Sequence, residues 1–126
     1  MAEALAKNLM PNLKLTSMGV AASNGYPASK NACKAVEGMG LDLSLHMSKM
    51  IDYDQLASAK LVLTMTGSHL SVVKSLCKKA NAYTLAGYVG EDKDIPDPFG
   101  GDLKTYVDCA EDIKSLVFSV AKKLLT

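Results

Sequence analysis

The apolar and polar positions of the chain follow helical and extended periods in turn. Helical spacing predicts helices over five segments: Met1–Met10, Ala28–Gly40, Asp52–Ala59, Gly67–Lys79 and Asp102–Leu125. Asp52 and Asp102 are expected as N-caps. The inward stripe expected for the last helix is Leu103, Tyr106, Val107, Ala110, Ile113, Val117, Val120, Ala121 and Leu124. Extended patterns predict strands over Leu13–Val20, Leu61–Met65 and Tyr83–Leu85. The middle one, "LVLTM", is almost entirely apolar, which is typical of a parallel strand buried on both faces. Because strands alternate with helices, the expected fold is α/β, a parallel sheet flanked by helices.

Composition narrows the class of protein. At 126 residues, the chain is expected to form a single domain, residues 1–126, with 48% hydrophobic and 21% charged residues. A net charge of +1 makes nucleic acid and anionic membranes poor partners. We see neither a transmembrane run nor a signal peptide. Three widely spaced cysteines argue against a disulfide framework or a zinc site, so a reducing cytoplasm is expected, with no cofactor and no metal.

Parallel sheets place ligands at the carboxyl ends of their strands. The segments expected there are Gly19–Pro27, Thr66–His69 and Gly87–Gly101. In the third, prolines on both sides of Asp97 restrict the backbone, and Phe99 supplies a flat apolar wall. A carboxyl held in this way can act as a general acid if partial burial raises its pKa. The alternative is a turn that only leads into the last helix.

Other polar side chains are weaker candidates. Asp94 can form an acidic pair with Asp97 or lie in a solvated loop. His46 can be a base, a ligand or a structural hydrogen-bonding residue, and the structural role is favoured. Nothing in the sequence marks one of the three cysteines as a nucleophile. The two lysines that follow Cys77 can lower its pKa, but a core position is favoured for each cysteine.

Five segments of the sequence, taken together, resemble a known protein family, although each segment alone is a weak match. They are "MAEAL" at Met1–Leu5, "TSMGVAASNGYPASKNA" at Thr16–Ala32, "GLDLSLHMSK" at Gly40–Lys49, "LVLTMTGSH" at Leu61–His69 and "DIPDPFGGDLKTYVDCAEDI" at Asp94–Ile113. Together they resemble the low-molecular-weight protein tyrosine phosphatases, in particular the bacterial branch that includes the protein arginine phosphatases. The strings span the chain and keep the family's order.

The resemblance implies a fold, a reaction and residue roles. It implies a four-stranded parallel sheet and hydrolysis of a phosphoprotein substrate, phosphotyrosine or phosphoarginine, through a phosphocysteine intermediate. Asp97 matches the family's general acid, and Phe99 matches the aromatic residue beside the substrate ring. Ser17 and His46 match residues that form hydrogen bonds behind the phosphate loop and hold it in shape.

The sequence also departs from the family's pattern. The family's nucleophile lies in a Cys-x5-Arg-Ser motif directly before the string that matches "MAEAL", whereas all 14 basic residues here are lysines. The bacterial branch usually has arginines in place of Met47 and Lys49. We therefore expect an N-terminally truncated domain that lacks the first, central strand, has no phosphatase activity and is able to self-associate through unpaired strand edges.

Two further hypotheses remain open. The chain can be a pseudophosphatase, a non-catalytic binding or regulatory module. It can also be a thiol reductase of the related arsenate-reductase type that uses Cys77, although without the oxyanion loop this reading is the least favoured.

Overall fold

The computed structural model describes residues 1–20 and 24–125, which form an α/β structure. The elements follow one another as α1 (Ala2–Leu9), α2 (Lys30–Glu37), α3 (Tyr53–Ser58), β1 (Val62–Thr64), α4 (Gly67–Leu76), β2 (Ala82–Thr84), α5 (Leu85–Tyr88) and α6 (Leu103–Leu125). The predicted α/β class is confirmed, and each predicted helix has a counterpart. None of the described helices is long and apolar enough to cross a membrane.

The sheet of the described residues has two strands where the resemblance implies four. Strands β1 and β2 pair in parallel, with Leu63 opposite Tyr83. Side chains of β1 alternate between two apolar clusters: Leu63 packs against the α1–α6 core, and Val62 packs against the cluster that contains Val73 of α4. Both faces of β1 are thus contacted, as predicted, although Val62 and Leu63 stay partly accessible.

The predicted strand over Leu13–Val20 is wrong. Its pairing within the described residues is a single isolated bridge between Gly19 and Met50. The Gly19 N–H donates to the Lys49 carbonyl at 2.9 Å, and the Ile51 N–H donates to the Gly19 carbonyl at 3.1 Å. A strand needs a run of such partners, which the described residues do not supply to this segment.

Helix α6 organises the core. It packs against α1 on one side and α2 on the other. Seven of its residues are buried: Tyr106, Ala110, Ile113, Leu116, Val117, Val120 and Ala121. The predicted inward stripe contained six of these and missed Leu116, which is 1% exposed. It also contained Leu103 and Leu124, which lie at the two ends of the helix and are exposed.

Local capping explains where several helices begin and end. The Ser29 side chain accepts the Ala32 N–H at 3.2 Å at the start of α2, and Gly40 follows that helix with a φ of +80°. Asp52 and Asp102 were both predicted as N-caps, and their carboxylates accept N–H groups of the first turns of α3 and α6. Helix α5 was not predicted, because four residues are too few to show a period.

Candidate active site

Three separate segments meet at the carboxylate of Glu3, in the first turn of α1. The Ser17 hydroxyl donates to Glu3 Oε1 at 3.1 Å. On the other oxygen, Oε2, His46 Nδ1 lies at 3.6 Å and Lys7 Nζ at 3.4 Å. The Glu3 side chain is only 16% exposed to solvent. The carboxylate therefore ties α1 to the segment that carries Ser17 and to the loop that carries His46.

The backbone around this cluster explains its position. Leu5, two residues after Glu3, is 2% exposed and fixes the rotation of α1 against α6. On the other side, the Ser44 N–H donates to Asp42 Oδ1 at 2.8 Å, and the His46 N–H donates to the Leu43 carbonyl at 3.1 Å. Leu43 is buried against α2 and α6, so the turn that presents His46 is anchored in the core.

Glu3 is held in its ionised form. Its burial on its own raises the pKa of the carboxyl, but the Ser17 hydrogen bond and the charges of Lys7 and His46 outweigh that effect. The net result is a Glu3 pKa below the ordinary value. An ionised carboxylate accepts hydrogen bonds on both oxygens, which suits a group that orients two neighbours at once.

Ser17 and His46, singled out from the resemblance, are thus brought together by the structure. The residue that joins them was missed, because a glutamate in the first turn of an amphipathic helix looks like ordinary dipole compensation. The available signal was its place in the string "MAEAL", which was noted without a role for Glu3.

The loop that carries Asp97 is attached at its start to β1 and α4. Asp94 Oδ1 accepts the N–H of Gly67, the first residue of α4, at 2.9 Å. The next residue, Ile95, is 2% exposed, and its N–H donates to the Met65 carbonyl at 2.9 Å. Asp94 is therefore engaged with α4, and its acidic pair with Asp97 stays a prediction.

The same loop is closed at its far end against α2 and α6. The Gly101 N–H donates to the Pro98 carbonyl at 2.8 Å, and the Gly101 carbonyl accepts from Asn31 Nδ2 at 3.4 Å. The preceding Gly100 has a φ of +82°, which favours glycine. A Cβ on Gly101 would lie 2.8 Å from Thr105 Cγ2, so the turn is packed tightly on α6.

Asp97 itself is exposed, and its Oδ1 accepts the Phe99 N–H at 3.0 Å. The partial burial expected of this carboxyl is not supplied by the described residues. Phe99 is 83% exposed and stands away from the protein surface, so it is available as a wall only to something bound beside it. The roles of both residues stay predictions.

Two of the three cysteines, Cys77 and Cys109, do not offer a reactive thiol at this place. Cys77 is 1% exposed inside the cluster around Leu56 and Val73, which argues against the thiol-reductase reading. Cys109 Sγ lies 3.8 Å from the Pro96 carbonyl. Burial is the largest influence on the Cys109 thiol, and its pKa is raised above the ordinary value. Residues 1–20 and 24–125 contain no cluster of three or more acidic, histidine or cysteine side chains that could hold a metal ion.

The family model described as "Low molecular weight phosphotyrosine protein phosphatase" matches residues 1–126. The chain belongs to this family. It is 32% identical over 130 residues to the protein-arginine-phosphatase of Geobacillus stearothermophilus, covering 100% of this chain and 87% of that protein. Identity to the low molecular weight protein-tyrosine-phosphatase PtpB of Staphylococcus epidermidis is 32% over 124 residues, or 98% of this chain and 88% of PtpB.

Solved structures of the family agree with the fold. A mutant of YwlE arginine phosphatase with a phosphorylated active-site serine superposes with a TM-score of 0.94 at 32% identity, covering 99% of this chain and 86% of that one. The YwlE arginine phosphatase from Geobacillus stearothermophilus gives a TM-score of 0.93 at 31% identity, with 98% and 82% covered. The predicted family is confirmed, and its relatives are protein tyrosine and arginine phosphatases, which supports phosphatase function at the level of the family.

Proposed function

We propose that this chain is the part of a protein phosphatase that supplies the general acid, Asp97, and the support for the phosphate loop. The substrate is a phosphotyrosine or phosphoarginine residue of a protein, and the route passes through a phosphocysteine. The observation that carries the proposal is the meeting of Ser17 and His46 on Glu3, at the start of the first helix. Two residues that the resemblance matches to one supporting role, from separate parts of the sequence, share one partly buried carboxylate.

Asp97 has two tasks in the proposed reaction. Its Oδ1 is oriented by the Phe99 N–H, so the transferable proton is carried on Oδ2. That proton goes to the oxygen or nitrogen of the leaving group as the bond to phosphorus breaks. In the second step the carboxylate takes a proton from the water that attacks the phosphocysteine. The position of Phe99, two residues on, suits a flat group stacked beside the leaving group.

The remaining chemistry needs a thiolate nucleophile followed closely by an arginine, and the 126 residues contain no such pair. A thiolate must attack phosphorus, and a fixed cation with a forked set of donors must hold the phosphate oxygens. The chain has no arginine, and the residues six positions after its cysteines are Met39, Tyr83 and Ser115. We therefore expect no phosphatase turnover from these 126 residues alone.

The gene sequence ahead of the Met1 codon is the first test. An in-frame Cys-x5-Arg motif preceded by a strand pattern supports the proposal, and the absence of such a motif overturns it. The second test compares hydrolysis of phenyl phosphate by the 126-residue chain and by the protein translated from the whole gene. The proposal predicts turnover in the second protein only.

A second candidate is a non-catalytic pseudophosphatase, and the absence of arginine from the 126 residues favours it. It predicts no hydrolysis of phenyl phosphate by either protein but measurable binding of a protein partner by the folded chain. The assay on the protein translated from the whole gene separates the two proposals, because only the first predicts turnover there.

A further inference from the structure

We propose that Asp94 is a positioning residue for the Asp97 loop, with Asn31 as its counterpart at the other end. Asp94 would hold the start of the loop on α4, and Asn31 would hold its end on α2. The inference rests on the proposed function only in calling Asp97 the general acid, since the order of the loop can be measured without any activity.

The bond made by Asp94 does more than an ordinary helix cap requires. Helix α4 already has a local cap, because Thr66 Oγ1 accepts the His69 N–H at 3.1 Å. Asp94 takes a second free N–H, that of Gly67, at 2.9 Å and from 27 positions along the chain. A carboxylate is well suited there, because the N-terminal end of a helix carries partial positive charge. The bond therefore couples α4 to the loop.

The position of Asp94 restricts the position of Asp97, because the backbone between them has little freedom. Ile95 is buried and bonded to the Met65 carbonyl, which gives the chain a second fixed point next to Asp94. Pro96 then locks its own φ, and the Cys109 thiol lies 3.8 Å from its carbonyl. With so few free dihedral angles between Asp94 and Asp97, a change at Asp94 moves the carboxyl that follows.

Asn31 closes the other end from a different helix. Its Nδ2 donates to the Gly101 carbonyl at 3.4 Å, a longer and weaker bond than that of Asp94. The side chain is placed by α2, whose start is capped by Ser29 and whose Val36 is fully buried. Asp94 is therefore expected to contribute more to loop order than Asn31.

Amide hydrogen exchange followed by NMR tests the inference on the 126-residue chain. The variants are Asp94→Ala, which removes the acceptor, and Asp94→Asn, which keeps an oxygen in place. Asp92→Ala, on the same exposed segment, is the matched control for charge. Three N–H groups are compared: Gly67, which reports the bond itself, Phe99, which reports the loop, and buried Val117, which reports global stability.

Asp94→Ala is expected to speed exchange about fivefold to tenfold at both Gly67 and Phe99, in the range of a lost helix cap. Val117 should change by less than about twofold when corrected for global stability, and Asp94→Asn should restore most of the protection. Faster exchange at Gly67 with no change at Phe99 would overturn the inference, since Asp94 would then serve α4 alone. An equal increase in the exchange rate of Phe99 in Asp92→Ala would also overturn the inference.

A second variant keeps the inference testable if Asp94→Ala does not fold. Asn31→Ala should speed exchange of the Gly101 N–H about twofold to fivefold, because one neutral hydrogen bond is lost. An unchanged Gly101 rate would remove Asn31 from the proposal. A phosphatase assay on the whole-gene protein is read separately, so loss of loop order and failure of the proposed function are distinguishable.

Discussion

Removal of the Ser17 hydroxyl probes the cluster at Glu3 most directly. Ser17→Ala deletes a donor that lies 3.1 Å from a largely buried carboxylate. A hydrogen bond to a charged group contributes about 1.5–3 kcal/mol, and Lys7 and His46 remain to compensate partly. We expect the free energy of unfolding to fall by about 1–2 kcal/mol, as measured by urea denaturation at pH 7.

The pH dependence of this loss is specific. The pKa of Glu3 is lowered in the folded protein, so ionised Glu3 contributes stability above its unfolded pKa, and that contribution disappears as pH falls through the folded pKa. In Ser17→Ala the pKa of Glu3 should rise towards its ordinary value. The difference between wild type and variant should therefore be full at neutral pH and shrink as the solution is acidified past the ordinary glutamate range.

A matched control variant and a double-mutant cycle test the contribution of the Ser17–Glu3 hydrogen bond. Ser71→Ala removes an exposed hydroxyl that donates to the Gly67 carbonyl at 3.1 Å, and it should cost less than about 0.5 kcal/mol. A double-mutant cycle with Glu3→Gln should give a coupling of about 1 kcal/mol. A Ser17→Ala cost equal to that of Ser71→Ala, or one that does not vary with pH, would refute the role given to Glu3.

Three other predictions follow from packing and sheet edges. Leu116→Ala should lower the free energy of unfolding by about 2–5 kcal/mol in urea denaturation, because it leaves a cavity at a fully buried site; a cost below about 1 kcal/mol would contradict the core described. Gly101→Ala should cost about 1–3 kcal/mol by the same method, because its Cβ would lie 2.8 Å from Thr105 Cγ2 and 2.9 Å from the Pro98 carbonyl; an unchanged stability would show that the turn yields freely. Sedimentation velocity on the 126-residue chain should show concentration-dependent association through unpaired strand edges; a monomer at all concentrations would contradict the expected self-association.

Sequence patterns predicted the parts of the fold that depend on neighbours along the chain. The long period of α6 placed most of its buried face, and Asp52 and Asp102 were found because a cap acts within the next turn. The strand over Leu13–Val20 failed for the opposite reason. Alternating residues indicate that a segment can be a strand, but a ladder requires a partner from elsewhere in the chain, which periodicity does not report.

The same limit applies to the candidate site. Asp97, Phe99, Ser17 and His46 were reached through whole strings of sequence. Glu3 was not identified in this way, because its role depends on contacts with side chains 14 positions or more away. Asp94 was likewise judged as part of a charged loop, and its bond to Gly67 depends on the return of the loop to α4. The sequence alone therefore did not predict two kinds of long-range hydrogen bond: the bond from a carboxylate to a distant helix end, as in Asp94, and the bond to a partly buried carboxylate, as in Glu3.

The central claim concerns Asp97 as the general acid of a phosphatase whose other reacting groups lie outside these 126 residues. It is tested most directly by the rate of phenyl phosphate hydrolysis, because a phenol with a pKa of about 10 needs a proton to leave. For the protein translated from the whole gene, Asp97→Ala should lower kcat about 10²–10⁴-fold, while the 126-residue chain shows no turnover. An unchanged kcat in Asp97→Ala, or turnover by the 126 residues alone that this substitution abolishes, would contradict the account.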